Sequence, residues 1–99
     1  MLSMPRRDPN PARLLAAALI QAVPGARITA HDETPWASAT FVGSRHVLEM
    51  QCPDAAAAQG AAGRLPEAEF NLRGHLVADV GAVATGALLA LEILVLVDA

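Results

Sequence analysis

Residues 88–99, LLALEILVLVDA, form an apolar run that contains one carboxylate, Glu92. Together with residues 76–87, this run is long enough for a membrane-spanning helix, which needs about 20 apolar residues. Such a helix would place Asp79 and Glu92 in lipid, at a cost of about 2.5 to 3.5 kcal/mol each near the bilayer centre. The glycines and β-branched residues of the segment are typical of strands and turns. We therefore predict a β-hairpin with its turn at Thr85-Gly86 and no membrane span.

The strands of this carboxy-terminal hairpin should be apolar on both faces, since alternate residues of a strand point to opposite sides. The face packed against helices would carry Leu76, Ala78, Val80, Leu89, Leu91, Ile93 and Val95. The other face would carry His75, Val77, Asp79, Glu92, Leu94 and Leu96. The helices predicted for this domain would cover only one face of the sheet. A second copy of the chain is the ordinary cover for the other face. Val77, Leu94 and Leu96 are therefore the predicted interface of a homodimer.

Two amphipathic helices are predicted from apolar residues that recur at the i, i+3, i+4, i+7 spacing. The first begins with Asn10 as its N-cap and ends at Pro24-Gly25, and the second begins at Pro53 and ends at Pro66. The apolar stripe of the first helix consists of Ala16, Leu19, Ile20 and Val23. The stripe of the second consists of Ala58, Ala61, Ala62 and Leu65. Each helix therefore has one face that can pack on a sheet.

The chain aligns with itself at a constant offset of 42 residues. The prolines that bound the two helices correspond, and Gly43-Ser44 falls on Thr85-Gly86, both of which are turn signals between apolar strands. A first hairpin is therefore expected over about residues 34–51. Its helix-facing side would carry Ala37, Ala39, Phe41, His46, Leu48 and Met50, and its other side Trp36, Ser38, Thr40, Arg45, Glu49 and Gln51.

These elements predict a single α+β domain, preceded by a flexible arm over residues 1–9. Two αββ units, residues 10–52 and 53–99, would form a four-stranded antiparallel sheet with two helices packed on one face. This element order resembles the core of the pterin carbinolamine dehydratases, which are small enzymes and dimerisation cofactors. The consecutive histidines with proline that mark that family's site are absent, because the three histidines of this chain are scattered. No residue role is carried over from the resemblance.

Composition argues against several classes of function. The net charge is −3, and the seven basic residues, all arginines, are scattered, so there is no basic stripe for a nucleic-acid backbone. Cys52 is the only cysteine, which leaves no intrachain disulfide or cysteine metal cluster and favours a reducing, cytoplasmic location. Its place at a strand end predicts a small buried side chain rather than a nucleophile. The residues before the first helix lack the order of a secretory signal.

Asp79, Glu92 and His75 form one candidate site. The predicted hairpin places the two carboxylates directly opposite each other, with the histidine on the same face. Such a set could act as acid and base or hold a divalent ion. It supplies few ligands for a metal, so no metal or cofactor is assigned. The structural alternative is a polar strip at the sheet surface, neutralised by Arg45 or Arg73.

Trp36 is a second candidate, since it is a large apolar side chain on a polar face. It could stack on a ligand ring or anchor a partner, or it could lie over a helix end. His31, Asp32 and Glu33 come shortly before it. Consecutive residues of an extended segment alternate in direction, so these three are expected to form a solvated linker rather than an ion site.

The sequence therefore predicts a small binding or assembly protein that forms a homodimer through its sheet and has no chemistry of its own. Neither nucleic acid nor a membrane is an expected partner. The alternative is a small enzyme or small-molecule-binding protein that uses the sheet surface near Trp36, His75, Asp79 and Glu92. An assembly domain should need Leu94, Leu96 and Trp36 and tolerate loss of both acids, whereas an enzyme should show the opposite pattern.

Overall fold

The protein is an α+β domain, as the element order predicts. The computed structural model describes residues 10–97, so the arm expected over residues 1–9 lies outside the described part. The elements in chain order are α1 (Pro11–Ala22), β1 (Arg27–Ala37), β2 (Val42–Gln51), α2 (Ala55–Arg64) with a short 3-10 turn (Leu65–Glu67), β3 (His75–Thr85) and β4 (Leu88–Val97). All neighbouring strands are antiparallel, and their order is β1-β2-β4-β3. The two hairpins therefore join through their second strands, and the helices pack against the resulting four-stranded sheet.

Side-chain caps begin both helices. The Asn10 Oδ1 atom accepts a hydrogen bond from the Ala12 N–H at 2.8 Å, and the Asp54 Oδ1 atom accepts one from the Ala57 N–H at 2.8 Å. Each cap satisfies one of the donors that the first helical turn leaves unpaired, and its loss costs about 1 kcal/mol. At the other end of α2, the Arg64 Nη2 group donates to the Ala22 carbonyl at 2.8 Å. This bond ties the ends of the two helices together.

The core lies between the helices and one face of the sheet. Its helical members are Leu15, Leu19, Val23, Ala58, Ala61 and Leu65. Its strand members include Leu48, Met50, Leu89, Leu91, Ile93 and Val95. The expected stripe of α1 is partly wrong, because Ile20 is exposed and Leu15 is fully buried in its place. Leu19 and Val23 are buried as expected, so α1 is rotated slightly about its axis from the orientation that the pattern predicts.

The first hairpin turns at residues 38–41 rather than at Gly43-Ser44. The Ser38 N–H donates to the Phe41 carbonyl at 2.8 Å, and the Ser38 Oγ atom accepts from the Phe41 N–H at 3.1 Å. Gly43 instead lies inside β2, where a Cβ atom would clash with the Val95 carbonyl oxygen and approach the Leu96 Cα atom to 2.9 Å. The glycine thus permits a close approach of β2 to β4 and does not mark a turn.

Strand β1 is longer than expected and begins at Arg27. Residues 31–33, predicted to be a solvated linker, therefore lie within a strand and pair with residues 46–48 of β2. A register shift between Ile28 and Ala30 interrupts this ladder. The extra β1 residues bring His31 close to β2, which the expected start of the strand at residue 34 did not allow.

The carboxy-terminal hairpin has its turn where the sequence predicts it, with Gly86 at a φ of 59°. A β-bulge between Val77 and Asp79 changes which face of the sheet each of the preceding residues occupies. Val77 pairs with the core residue Val95, whereas Leu76 pairs with Leu96 on the other face. The predicted faces are therefore right from Asp79 onward and wrong for residues 75–77, because the bulged residue inverts the alternation.

Residues 76–97 form strands and not one continuous helix. Across the described residues 10–97, no helix is both long and apolar enough to cross a membrane. The strand prediction for the carboxy-terminal segment is therefore confirmed.

Candidate functional site

The sheet face opposite the helices, which we call the open face, is one candidate site. Its large apolar members are Trp36, Val47, Leu76, Val83, Leu88, Leu94 and Leu96. Its charged members include Asp32, Arg45, Glu49, Asp79 and Glu92. Both kinds of side chain occur on each half of the sheet, so the open face is mixed in polarity and extends over all four strands.

An apolar row crosses the open face near one end. The cross-strand neighbours are Trp36, Gly43, Leu96 and Leu76, in that order from β1 to β3. Leu96 is only 7 % exposed, although α1 and α2 pack on the other side of the sheet, and Trp36 is half-buried. Gly43 has no side chain, and the β4 backbone lies against the position that its Cβ atom would occupy. Leu76, at the β3 edge, remains exposed.

The two carboxylates of the predicted acid–base pair lie on the open face but are not opposite each other. Asp79 pairs with Leu94, whereas Glu92 pairs with Gly81. The Arg45 Nη1 group donates to the Glu92 Oε2 atom at 2.9 Å, and both side chains reach solvent. Exposed ion pairs of this kind contribute about 0 to 1 kcal/mol to stability. The arrangement matches the polar-strip interpretation, with Arg45 as the neutralising group.

His75 does not join these carboxylates. It pairs with Val97 at the start of β3, on the same side of the sheet as Val77 and Val95. Its Nδ1–H group donates to the Arg73 carbonyl at 3.0 Å. The set Trp36, His75, Asp79 and Glu92 is therefore divided between the two faces. A shallow groove of about 460 Å³ lies beside His75 and is lined by Phe70, Asn71, Leu72, Arg73, His75 and Leu76.

A second candidate site, which the sequence analysis missed, is a polar group on the helix-side face. We call it the histidine cluster, and it consists of His31, Ser44 and His46. The His31 Nε2 and His46 Nδ1 atoms are 2.9 Å apart, and the His46 Nε2 and Ser44 Oγ atoms are 2.7 Å apart. His46 is 0 % exposed, and Ser44 is also buried. Both ring nitrogens of the buried imidazole therefore have hydrogen-bond partners.

The surroundings of His46 favour its neutral form. Burial lowers the pKa of His46 below its ordinary value of 6.5 and is the largest cause of the shift. The Glu33 carboxylate opposes this effect, while His31 and His75 add to the lowering. A neutral imidazole donates through one nitrogen and accepts through the other, which matches its two contacts. Among the described residues, every buried side-chain nitrogen and oxygen atom has a hydrogen-bond partner.

The contact between Ser44 and His46 has the distance of a nucleophile and its general base. Its position in the sheet does not suit acyl transfer, however. Ser44 is buried within β2, which pairs with Pro35 of β1 on one side and with Val95 of β4 on the other. A reacting carbonyl would need access to the hydroxyl and free donors for its oxyanion, and a doubly paired strand provides neither. The cluster is therefore a satisfied internal polar network.

A metal centre and the single thiol are two further possible sources of chemistry in the fold. Within residues 10–97, no group of three or more His, Cys, Asp or Glu side chains is placed to hold a metal ion. Cys52 is buried, and burial together with the nearby Asp54 raises the pKa of its thiol. A raised pKa lowers the thiolate fraction at neutral pH, so Cys52 is a core side chain, as predicted, and a poor nucleophile.

Comparison of the chain with protein-family models, with curated proteins and with solved structures gave no match. The similarity to pterin carbinolamine dehydratases thus remains one of element order. Function has to be inferred from the open face and the histidine cluster.

Proposed function

We propose that this protein is a small binding and assembly domain that forms a homodimer through its open face. The observation that carries the proposal is the exposure of large apolar side chains on that face. Val47, Leu76, Val83 and Leu88 are between 38 % and 64 % exposed. They extend over three strands of a sheet whose helices pack on the other side. Exposed apolar side chains on a sheet face that the chain's own helices leave uncovered are typical of a protein contact.

The edges of the sheet favour a partner on the face over one that adds a strand. Edge strand β1 carries Asp32 and Glu33 beside Pro35, which cannot donate a backbone hydrogen bond. Edge strand β3 is interrupted by the bulge at Ala78 and contains Gly81. Charges, proline and bulges are the ordinary means by which sheets avoid pairing at their edges. Contact through the open face does not require either edge.

A second copy of the chain is the partner that we propose. A twofold contact places the same surface on both sides, so each copy must supply both signs of charge. Arg45 and Glu92 lie on the two central strands and pair with each other, so the middle of the open face supplies both signs of charge. Asp32 and Asp79 lie on the edge strands, where the rim of an interface stays solvated. The small core gives a second reason, because α2 contributes mainly Ala58 and Ala61 and a short chain gains from further burial.

The interface that we propose differs in part from the interface predicted from the sequence, which consisted of Val77, Leu94 and Leu96. Val77 packs against the core, so the bulge removes it from the open face. Leu94 stays in the set, whereas Leu96 is only 7 % exposed within one chain and can add little to the contact. Val47 and Val83 lie on the same face and are exposed. A cytoplasmic location belongs to the same proposal, since the free thiol of Cys52 suits a reducing compartment.

The molecular mass in solution tests this proposal. Sedimentation equilibrium at micromolar concentration should give twice the chain mass of 10.2 kDa. Val47→Asp should give a monomer, because each copy would place an unpaired charge in the contact. Ile20→Asp is the matched control, since Ile20 is 48 % exposed on α1 and Val47 is 49 % exposed on the open face. A wild-type monomer would exclude the dimer, and a dimer that survives Val47→Asp would place its interface elsewhere.

A second candidate function is the binding of a small molecule in the groove beside His75. Its support is the groove of about 460 Å³, where Phe70 and Leu76 offer apolar contacts and Arg73 a positive charge. Such a combination suits a small carboxylate with an apolar body. Arg73→Gln should then abolish binding of such carboxylates in a calorimetric screen and leave the oligomeric state unchanged. Equal binding by the variant would exclude Arg73 as the anchor.

A further inference from the structure

The histidine cluster joins an edge strand to an internal strand. His31 lies on β1, which within residues 10–97 pairs only with β2, whereas His46 lies on β2, which pairs also with β4. The 2.9 Å contact between the two rings is therefore a side-chain link between β1 and the rest of the sheet. The ring planes are tilted by 58° and their centroids are 5.1 Å apart. In this contact a nitrogen of one ring faces a nitrogen of the other.

This link requires that at least one of the two facing nitrogens carries no proton. A neutral imidazole has one donor and one acceptor nitrogen, whereas an imidazolium has two donors. When both rings are protonated, two N–H groups face each other at a distance that needs a donor and an acceptor. The bond is then lost, and two positive charges are left in contact. Ser44 cannot replace the missing partner, because its hydroxyl already bonds the other nitrogen of His46.

We propose that His31 and His46 form an acid-sensitive link that holds edge strand β1 on the sheet at neutral pH and releases it when both rings are protonated. The titratable groups that act on His46 are His31 and Glu33 of β1 and His75 of β3. Its neighbour on β4 is the apolar Ile93, and its own strand adds the neutral Ser44. Glu33 alone favours the charged imidazole, so it promotes the loss of the link as the pH falls.

The direction of the pH effect follows from burial. The unfolded chain binds a proton at this histidine near pH 6.5, whereas the folded chain does so only at lower pH. Between the two values the unfolded state carries more protons, so stability rises with pH. The stabilisation is complete above about pH 6.5 and is lost as the pH falls through the folded value. Because folding keeps His46 neutral, acidification between these two values lowers the folding equilibrium constant by up to about tenfold per pH unit.

Trp36 reports on this strand directly, because it is the only tryptophan and lies on β1. Urea unfolding followed by its fluorescence at intervals from pH 8 to pH 5 should show a flat upper range and a falling lower range. His31→Gln keeps a hydrogen-bonding side chain without titration and should reduce the pH dependence. His46→Gln should do the same, and two variants allow for one that does not fold. His75→Gln is the control, since His75 acts only through its charge and most of the pH dependence should remain.

Backbone amide exchange should show where the release occurs. At pH 5.5, protection corrected for intrinsic exchange should fall first in β1, while β2 and β4 stay protected. Wild-type stability that is constant from pH 8 to pH 5 would overturn the proposal. A pH dependence as large as that of the wild type in both His31→Gln and His46→Gln would do so as well. A pH dependence that disappears in protein treated with a chelator would show instead that the two imidazoles held a metal ion. The link does not depend on dimer formation, so the pH dependence should be the same at two protein concentrations.

Discussion

The two αββ units share an element order but fill it with different chemistry. In the first unit, α1 buries leucines and its hairpin carries the buried His46 with its polar partners. In the second, α2 buries mainly alanines, and its hairpin is apolar on the helix side apart from His75 at the start of β3. Both edge strands contain a register shift, near Thr29 in β1 and at Ala78 in β3. The same topology therefore tolerates a polar or an apolar interior, provided that each buried polar atom has a hydrogen-bond partner.

The largest difference between the units should appear when their helices are truncated. Leu19 of α1 is fully buried, so Leu19→Ala should lower the free energy of unfolding by about 2 to 5 kcal/mol. Ala61 of α2 occupies the corresponding buried stripe, and Ala61→Gly should cost about 1 kcal/mol through helix propensity. Urea unfolding monitored by circular dichroism measures both. Equal losses would contradict the view that α1 supplies most of the helical core.

The glycines inside the two hairpins should also behave differently. Gly43→Ala forces a Cβ atom against the backbone of β4, so a loss of about 1 to 3 kcal/mol is expected. Gly81→Ala is the matched control, because its Cβ atom would lie 3.8 Å from the Glu92 carbonyl oxygen in ordinary contact. This second change should be neutral or slightly stabilising, since it restricts the unfolded chain. A tolerated Gly43→Ala would show that β2 and β4 can separate locally without penalty.

Deleting Ala78 tests whether the bulge in β3 determines the faces of residues 75–77. The deletion restores an uninterrupted ladder and keeps Val77 on the core side and Leu76 on the open face. Stability should therefore change by no more than about 1 kcal/mol. Thermal unfolding gives the comparison with the wild type. A loss of several kcal/mol would mean that the bulge serves the packing of β3 beyond setting this register.

The smallest effect is expected from the carboxylates of the open face. Asp79→Asn together with Glu92→Gln removes one exposed ion pair, so the free energy of unfolding should change by about 1 kcal/mol or less. Dimer formation should persist, because the proposed contact depends on apolar side chains. Elemental analysis should find the same metal content in wild type and variant. A divalent ion present only in the wild type would reveal a functional role for the acids.

Local signals predicted several elements correctly. The Asn10 cap and the prolines that bound the helices predicted both helices, and Thr85-Gly86 predicted the second turn. The first turn was missed because residues 38–41 contain no glycine and rely on hydrogen bonds of Ser38. The turn signal at Gly43 had another cause, which is the close approach of β4. A turn motif and a packing constraint thus look alike when only neighbouring residues are read.

The candidate site was predicted less well than the fold. Trp36, Asp79 and Glu92 do share the open face, but His75 and Val77 do not. One unpaired residue in a strand exchanges the sheet faces of all the residues before it relative to those after it. The alternation of apolar residues does not show where such a bulge occurs.

Four features could be predicted from local sequence alone. They are the α+β class, the helix ends, the second hairpin and a sheet with apolar residues on both faces. These features depend on local periodicity, capping and turn residues, which act over a few positions. The register of the bulged strands and the contact between His31 and His46 depend on tertiary packing. The two histidines are fifteen residues apart in the chain, so their contact depends on how far β1 extends and which residues of β2 it pairs. Those choices are made by the packing of the whole sheet, because a single shift in register moves a side chain from core to solvent.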